Sequence, residues 1–217
     1  MASIAIMTDS NSGIMPSEGI HYGIHVLPMP VIIDGETYSE GIHISLDEFL
    51  RRQREGAVIS TSQPSPGDVS AMWDELLGSH DEVVFIPMSS GLSSTCQTAM
   101  LLAEEEPYKG RVFVADNHRI SVTQGIAALE ARNLADAGKS AAEIKEILEA
   151  EALDATIYIA VDTLEYLKKG GRITAAAAAL GTVLRVKPVL TIQGGKLESY
   201  AKARGMKSAY QSMLDAL

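Results

Sequence analysis

Through residues 1–154, short β-branched runs alternate with capped helical segments, and that alternation most constrains the fold. Ser3–Met7, Val26–Ile33, Val83–Met88 and Val112–Asp116 read as buried strands, each apolar and bounded by turn formers. Helix starts lie between them. Ser45, Ser65 and Ser140 each precede an acid by three residues (Glu48, Asp68, Glu143), the pattern of a reciprocal N-terminal cap. Pro66 stands at a first helical position. Ser121–Ala137 is helical by its Ala, Leu and Glu content. Alternating units of this kind predict a three-layer α/β domain over residues 1–154, with a mainly parallel sheet and helices on both faces.

The pattern changes near Asp154. Thr156–Val161 reads as a strand, Thr163–Lys169 as a helix stopped by Gly170-Gly171, and Ala175–Leu184 as a small helix. Val186–Thr191 and Lys196–Tyr200 then predict a hairpin around Gln193-Gly194-Gly195. A second, smaller α/β domain over residues 155–217 is expected. Met206, Ala209, Tyr210, Met213, Leu214 and Leu217 recur at helical spacing up to the chain end. The expectation is that the C-terminal part of this domain is missing, or that a partner covers that face.

Composition narrows the function classes. The 217 residues carry a formal net charge of −10, which argues against nucleic-acid binding and against anionic membranes. The single cysteine, Cys96, excludes an internal disulfide and suits a reducing cytoplasm. The first residues lack a basic n-region, and Ile173–Leu184 is too short to span a bilayer, so no stable membrane insertion is expected. His21 and His25 are four apart, but Gly23 and a following strand oppose a shared helix face, and no acid or cysteine completes a metal set. Neither glycine-rich nucleotide loop occurs, so no cofactor is expected.

One stretch carries chemistry. Ser89-Ser90-Gly91-Leu92-Ser93-Ser94-Thr95 sits between a buried strand and a helix start, where unpaired N–H groups, hydroxyls and the positive end of a helix dipole collect. That suits a phosphate or carboxylate. Thr61-Ser62-Gln63-Pro64-Ser65-Pro66 is a second hydroxyl cluster, and the two are expected to hold one anionic head group. Helix capping explains some of these hydroxyls, but five in seven residues exceed one cap. An alternative function is a phosphotransferase or hydrolase using the same site, with Asp9 or Asp116 as strand-end bases. Gly91-Leu92-Ser93-Ser94-Thr95 falls one glycine short of a nucleophile elbow, and only His118 follows it. Arg172, beside a glycine turn, and Lys187, Lys202 and Arg204 are further anion-pairing candidates.

Together these stretches resemble the DegV family, the fatty-acid-binding subunits of bacterial fatty acid kinase. The resemblance rests on Thr8-Asp9-Ser10, the Thr61–Ser65 and Ser89–Thr95 blocks, Leu164-Glu165-Tyr166-Leu167-Lys168-Lys169-Gly170-Gly171-Arg172-Ile173, Lys187-Pro188-Val189-Leu190 and Lys202-Ala203-Arg204-Gly205. It implies a cytoplasmic lipid-binding protein of phospholipid metabolism, with a long-chain fatty acid between its two domains and the tail in an apolar tunnel. It implies that Thr61 and Ser93 hydrogen-bond the carboxylate, aided by Ser62 and the N–H of Ser94, with Arg172 and Arg204 near the head group or the kinase. A separate ATP-dependent kinase would make acyl phosphate on the bound ligand, so this chain is expected to be a carrier and no catalyst. The apolar residues of Val26–Ile33 and Val83–Met88 are the expected tunnel walls. Three positions depart from the family pattern: Ser94 for glycine, Cys96 for tyrosine and Asn117 for serine. Family members also run longer, through a histidine that contacts the carboxylate.

Overall fold

The computed structural model describes residues 2–179, 186–193 and 195–216. They form two compact units, Met1–Ala152 and Leu153–Leu217. In the first, β1 (Ile4–Asp9), β2 (Ile24–Leu27), β6 (Glu82–Ile86) and β7 (Val112–Val114) make a parallel sheet in the order β2-β1-β6-β7. Strand alternation sends Ile4, Ile6, Val84 and Ile86 to one face, against α5 (Ser121–Asp136) and α6 (Ala141–Ala150). Ala5, Met7, Val83 and Phe85 point to the other, against α3 (Pro66–Leu77) and α4 (Thr95–Ala103). Trp73 of α3 fills that second core, edge-on to Phe85 and Tyr108 at 6.3 and 5.1 Å. This is the three-layer α/β architecture expected from the alternation.

The expected strand Val26–Ile33 is two strands in two sheets. Pro28 and Pro30 have no N–H to continue a ladder, and the Met29 N–H instead donates to Ser10 Oγ at 3.0 Å. The chain turns there from β2 into β3 (Pro30–Ile33), the centre of a small antiparallel sheet with β4 (Glu36–Ser39) and β5 (Ile59–Thr61). Val31, Ile33 and Ile44 form its core, with Phe49 of α2 (Leu46–Arg54) packed alongside. The expected tunnel walls are therefore largely committed. Val83 to Ile86 are fully buried inside the two main cores, and Val31 and Ile33 in the small one. Ile32, on the other face of β3, stays half-buried.

Helix α1 (Pro16–Tyr22) has no counterpart in the sequence reading. Gly19 explains both its position and its weak signal. A Cβ there would lie 2.4 Å from the Ile24 carbonyl, so only glycine lets this helix meet β2 so closely.

In the second unit β8 (Ile157–Ala160), β9 (Val186–Ile192) and β10 (Glu198–Arg204) form an antiparallel sheet in the order β10-β9-β8. Helix α7 (Glu165–Gly170) ends at Gly171, which is left-handed at φ 68°. Helix α8 covers Ala175–Ala179; the rest of the expected Ala175–Leu184 helix, the turn residue Gly194 and Leu217 lie outside the described residues. Helix α9 (Met206–Leu214) packs Ala209 and Met213 against Val189 and Ala203, while Tyr210 and Leu214 of its apolar stripe face solvent.

Candidate functional site

In the order β2-β1-β6-β7 the chain leaves β1 in one direction and returns through β6 in the other, so the switch point lies between β1 and β6. Loops diverge at the carboxyl ends of such a pair and leave a crevice where ligands bind. Asp9 ends β1, and the hydroxyl stretch Ser89–Thr95 follows β6. Asp9 is fully buried there. Its Oδ2 accepts from the Met88 N–H at 2.9 Å, and its Oδ1 from Asn11 N, Asn11 Nδ2 and Gln124 Nε2 at 2.9–3.1 Å. Burial pushes the Asp9 carboxyl up from its ordinary value, and these N–H donors pull against that rise.

The hydroxyl loop then folds on itself before α4. The N–H groups of Leu92 and Ser93 donate to the Ser89 carbonyl, and that of Gly91 to Ser89 Oγ. Ser93 Oγ lies 2.8 Å from Thr95 Oγ1 and accepts from Thr95 N at 3.2 Å. Part of the hydroxyl content thus does ordinary capping. Ser94 is the N-cap residue of α4 but makes no side-chain cap, and its N–H has no partner among the described residues. The half-buried Ser93 hydroxyl and the Ser94 N–H lie together at the N-terminus of α4, where an anion is favoured.

Thr61, the last residue of β5, pairs with Val31, and so shares a sheet face with the apolar Val31, Ile33 and Ile59. Its side chain and that of Ser62 are exposed. Beyond them Gln63 Oε1 accepts from Thr98 Oγ1 of α4 at 3.5 Å, and α3 packs on α4. Both hydroxyl clusters therefore border one helix, a link the sequence reading did not include. Arg172, after the α7 cap, turns back onto the Gly170 carbonyl, and Arg204 ends β10 with its side chain exposed. Both belong to the second unit.

The acids and hydroxyls named as candidates for catalysis have structural partners. Asp9 is fully buried and accepts four hydrogen bonds, three on Oδ1 and one on Oδ2. Asp116 Oδ1 accepts from the N–H groups of Ser90 and His118, and His118 Nδ1 stands 3.5 Å from that same oxygen. The recorded partner of the Ser93 hydroxyl is Thr95, not a histidine. Cys96, fully buried on α4, has its thiol pushed up to about 12, by burial first and by Asp116 second. Among the described residues no cluster of His, Cys, Asp or Glu would hold a metal ion, and no helix is long and apolar enough to cross a membrane.

Comparison with known proteins agrees with this architecture. A family model described as "Uncharacterised protein, DegV family" matches residues 3–217. A DegV domain-containing protein of Deinococcus radiodurans is 36% identical over 214 residues, which cover 98% of this chain and 75% of the relative. A solved DegV family protein from Thermus thermophilus, described by its fatty acid binding, aligns with a TM-score of 0.88 at 38% identity, over 99% of this chain and 76% of that one. A stearic acid-binding protein from Eubacterium ventriosum aligns at 0.87 and 25% identity, over 98% of this chain and 75% of that one. Spanned from its first strand to its last residues by the family model, and more than a third identical to a relative along nearly all its length, the chain belongs to the DegV family.

Proposed function

We propose that this protein binds a long-chain fatty acid without reacting with it and presents the carboxylate to a separate ATP-dependent fatty acid kinase. The observation that supports this most is the donor set at the start of α4, placed at the switch point of a parallel sheet. The solved relatives from Thermus thermophilus and Eubacterium ventriosum, described as fatty-acid binders, supply the ligand class. Thr61 and Ser93 hydrogen-bond the carboxylate, with the Ser94 N–H and the Ser62 hydroxyl beside them. Arg172 and Arg204 serve the head group or the kinase surface.

Physical chemistry divides the labour between the two ends of the ligand. Burying a sixteen-carbon tail is worth on the order of 12 kcal/mol as an upper bound, at about 0.8 kcal/mol per CH₂. Neutral donors recover only part of the cost of desolvating a carboxylate. The tail sets most of the affinity, and the hydroxyls add a smaller share and set which end faces the kinase.

Two experiments test the reading. Mass spectrometry of lipid extracted from the purified protein is expected to find a long-chain fatty acid. Absence of lipid, together with no uptake of added palmitate, refutes it. The double variant Thr61→Ala with Ser93→Ala is expected to stay folded and to lose about 2 kcal/mol or more of palmitate binding, two hydrogen bonds to a charged group being removed. Acyl phosphate production with a cognate kinase falls with it; unchanged production contradicts the assigned roles.

A further inference from the structure

We propose that Asp9 and Asp116 are positioning residues for the head-group loop; the inference rests on the fatty-acid reading above and adds to it the groups that aim the donors. Three consecutive main-chain amides at the root of the loop are tied to three different acceptors. The Met88 N–H donates to Asp9 Oδ2 at 2.9 Å, the Ser89 N–H to the Arg119 carbonyl at 2.9 Å, and the Ser90 N–H to Asp116 Oδ1 at 3.2 Å. Asp9 belongs to β1 on one side of β6. Asp116 and Arg119 belong to the segment between β7 and α5 on the other side.

That segment is itself held in an unusual shape. His118 and Ser121 are left-handed at φ 54° and 57°, a conformation that non-glycine residues adopt only under constraint. Asn117 Oδ1 accepts from the Arg119 N–H, and Arg119 donates to the Glu151 carbonyl, so the carbonyl that meets Ser89 is fixed from both directions. Asp9 is fixed equally firmly, since Gln124 Nε2 bridges it to Thr8 Oγ1 and the Ile86 carbonyl.

The consequence is directional. The amides of Met88, Ser89 and Ser90 are bound to flanking elements, and those of Gly91, Leu92 and Ser93 turn inward onto Ser89. The first amide of the loop with no partner among the described residues is that of Ser94, next to the Ser93 hydroxyl. Two acids near an anion site are unfavourable as bare charges. As acceptors for main-chain N–H groups they direct the remaining donors toward a ligand, the preorganisation that oriented dipoles require.

The test compares palmitate with hexadecan-1-ol, both delivered from cyclodextrin to the intact protein and measured by calorimetry. The alcohol shares the tail and lacks the charge. Asp116→Ala is expected to weaken palmitate about tenfold, the scale of one hydrogen bond to a charged group, and so to lower the acid-to-alcohol affinity ratio. Asp116→Asn, which keeps an oxygen for the Ser90 N–H, is expected to restore the ratio. Asp9→Asn, which cannot present acceptors to donors on both of its sides, is expected to lower it as Asp116→Ala does; if that variant does not fold, Asp116 decides. Folded Asp116→Ala with an unchanged ratio, or with both ligands weakened equally, overturns the inference. Wild-type protein that takes up no palmitate removes the fatty-acid reading itself, before any variant is compared.

Discussion

At the scale of the residue, burial decides what each reactive group does. Cys96 lies in the first turn of α4, where a helix N-terminus ordinarily favours a thiolate. Full burial reverses that tendency and raises the thiol to about 12. The native protein is therefore expected to resist Ellman's reagent at pH 8 and to react stoichiometrically once denatured; rapid modification of native protein contradicts the burial. The same contrast separates what the sequence reveals from what it hides. The two hydroxyl clusters stand out by residue type beside strand ends, and the roles proposed for Thr61 and Ser93 within them come from the family resemblance. The engagement of Asp9 is not legible, since its partners Met88 and Gln124 are far away in the chain. An isolated Asp after a strand reads equally well as a base, a cap or a clamp.

Elements were legible where the signal is local. Ser65 and Ser140 form the reciprocal caps that their spacing predicts, with Asp68 and Glu143 returning to the cap amide. Ser45 caps α2 in one direction only, because the Glu48 carboxylate turns to Arg51 and Arg52. The division of Val26–Ile33 and the presence of α1 depend on close approach and on a second sheet, neither of which composition reports. Helix α6 offers a measurable case. Ser140→Ala is expected to cost about 1 kcal/mol, read as a lower denaturant midpoint at unchanged slope. Glu143 is held down to about 2 by the Ser140 N–H first and by Lys139 next, against an ordinary 4.5. A depressed carboxyl stabilises the fold above its unfolded value, and that contribution disappears as pH falls from about 4.5 to 2. An NMR titration of the Glu143 side chain should give a midpoint near 2; a midpoint near 4.5 denies the cap.

At the scale of the molecule, the parallel sheet explains why chemistry gathers at one edge. Four strands leave their carboxyl ends on the same side, and the order reverses between β1 and β6, whose ends carry Asp9 and the hydroxyl loop. The parallel character of this sheet followed from the alternation of strand and helix segments. A crystal structure of the protein loaded with palmitate tests the central claim most directly. The carboxylate is expected within hydrogen-bond distance of both the Thr61 and Ser93 hydroxyls, at the start of α4. A carboxylate bound elsewhere, or hydroxyls turned away from one another with packed side chains between them, contradicts it.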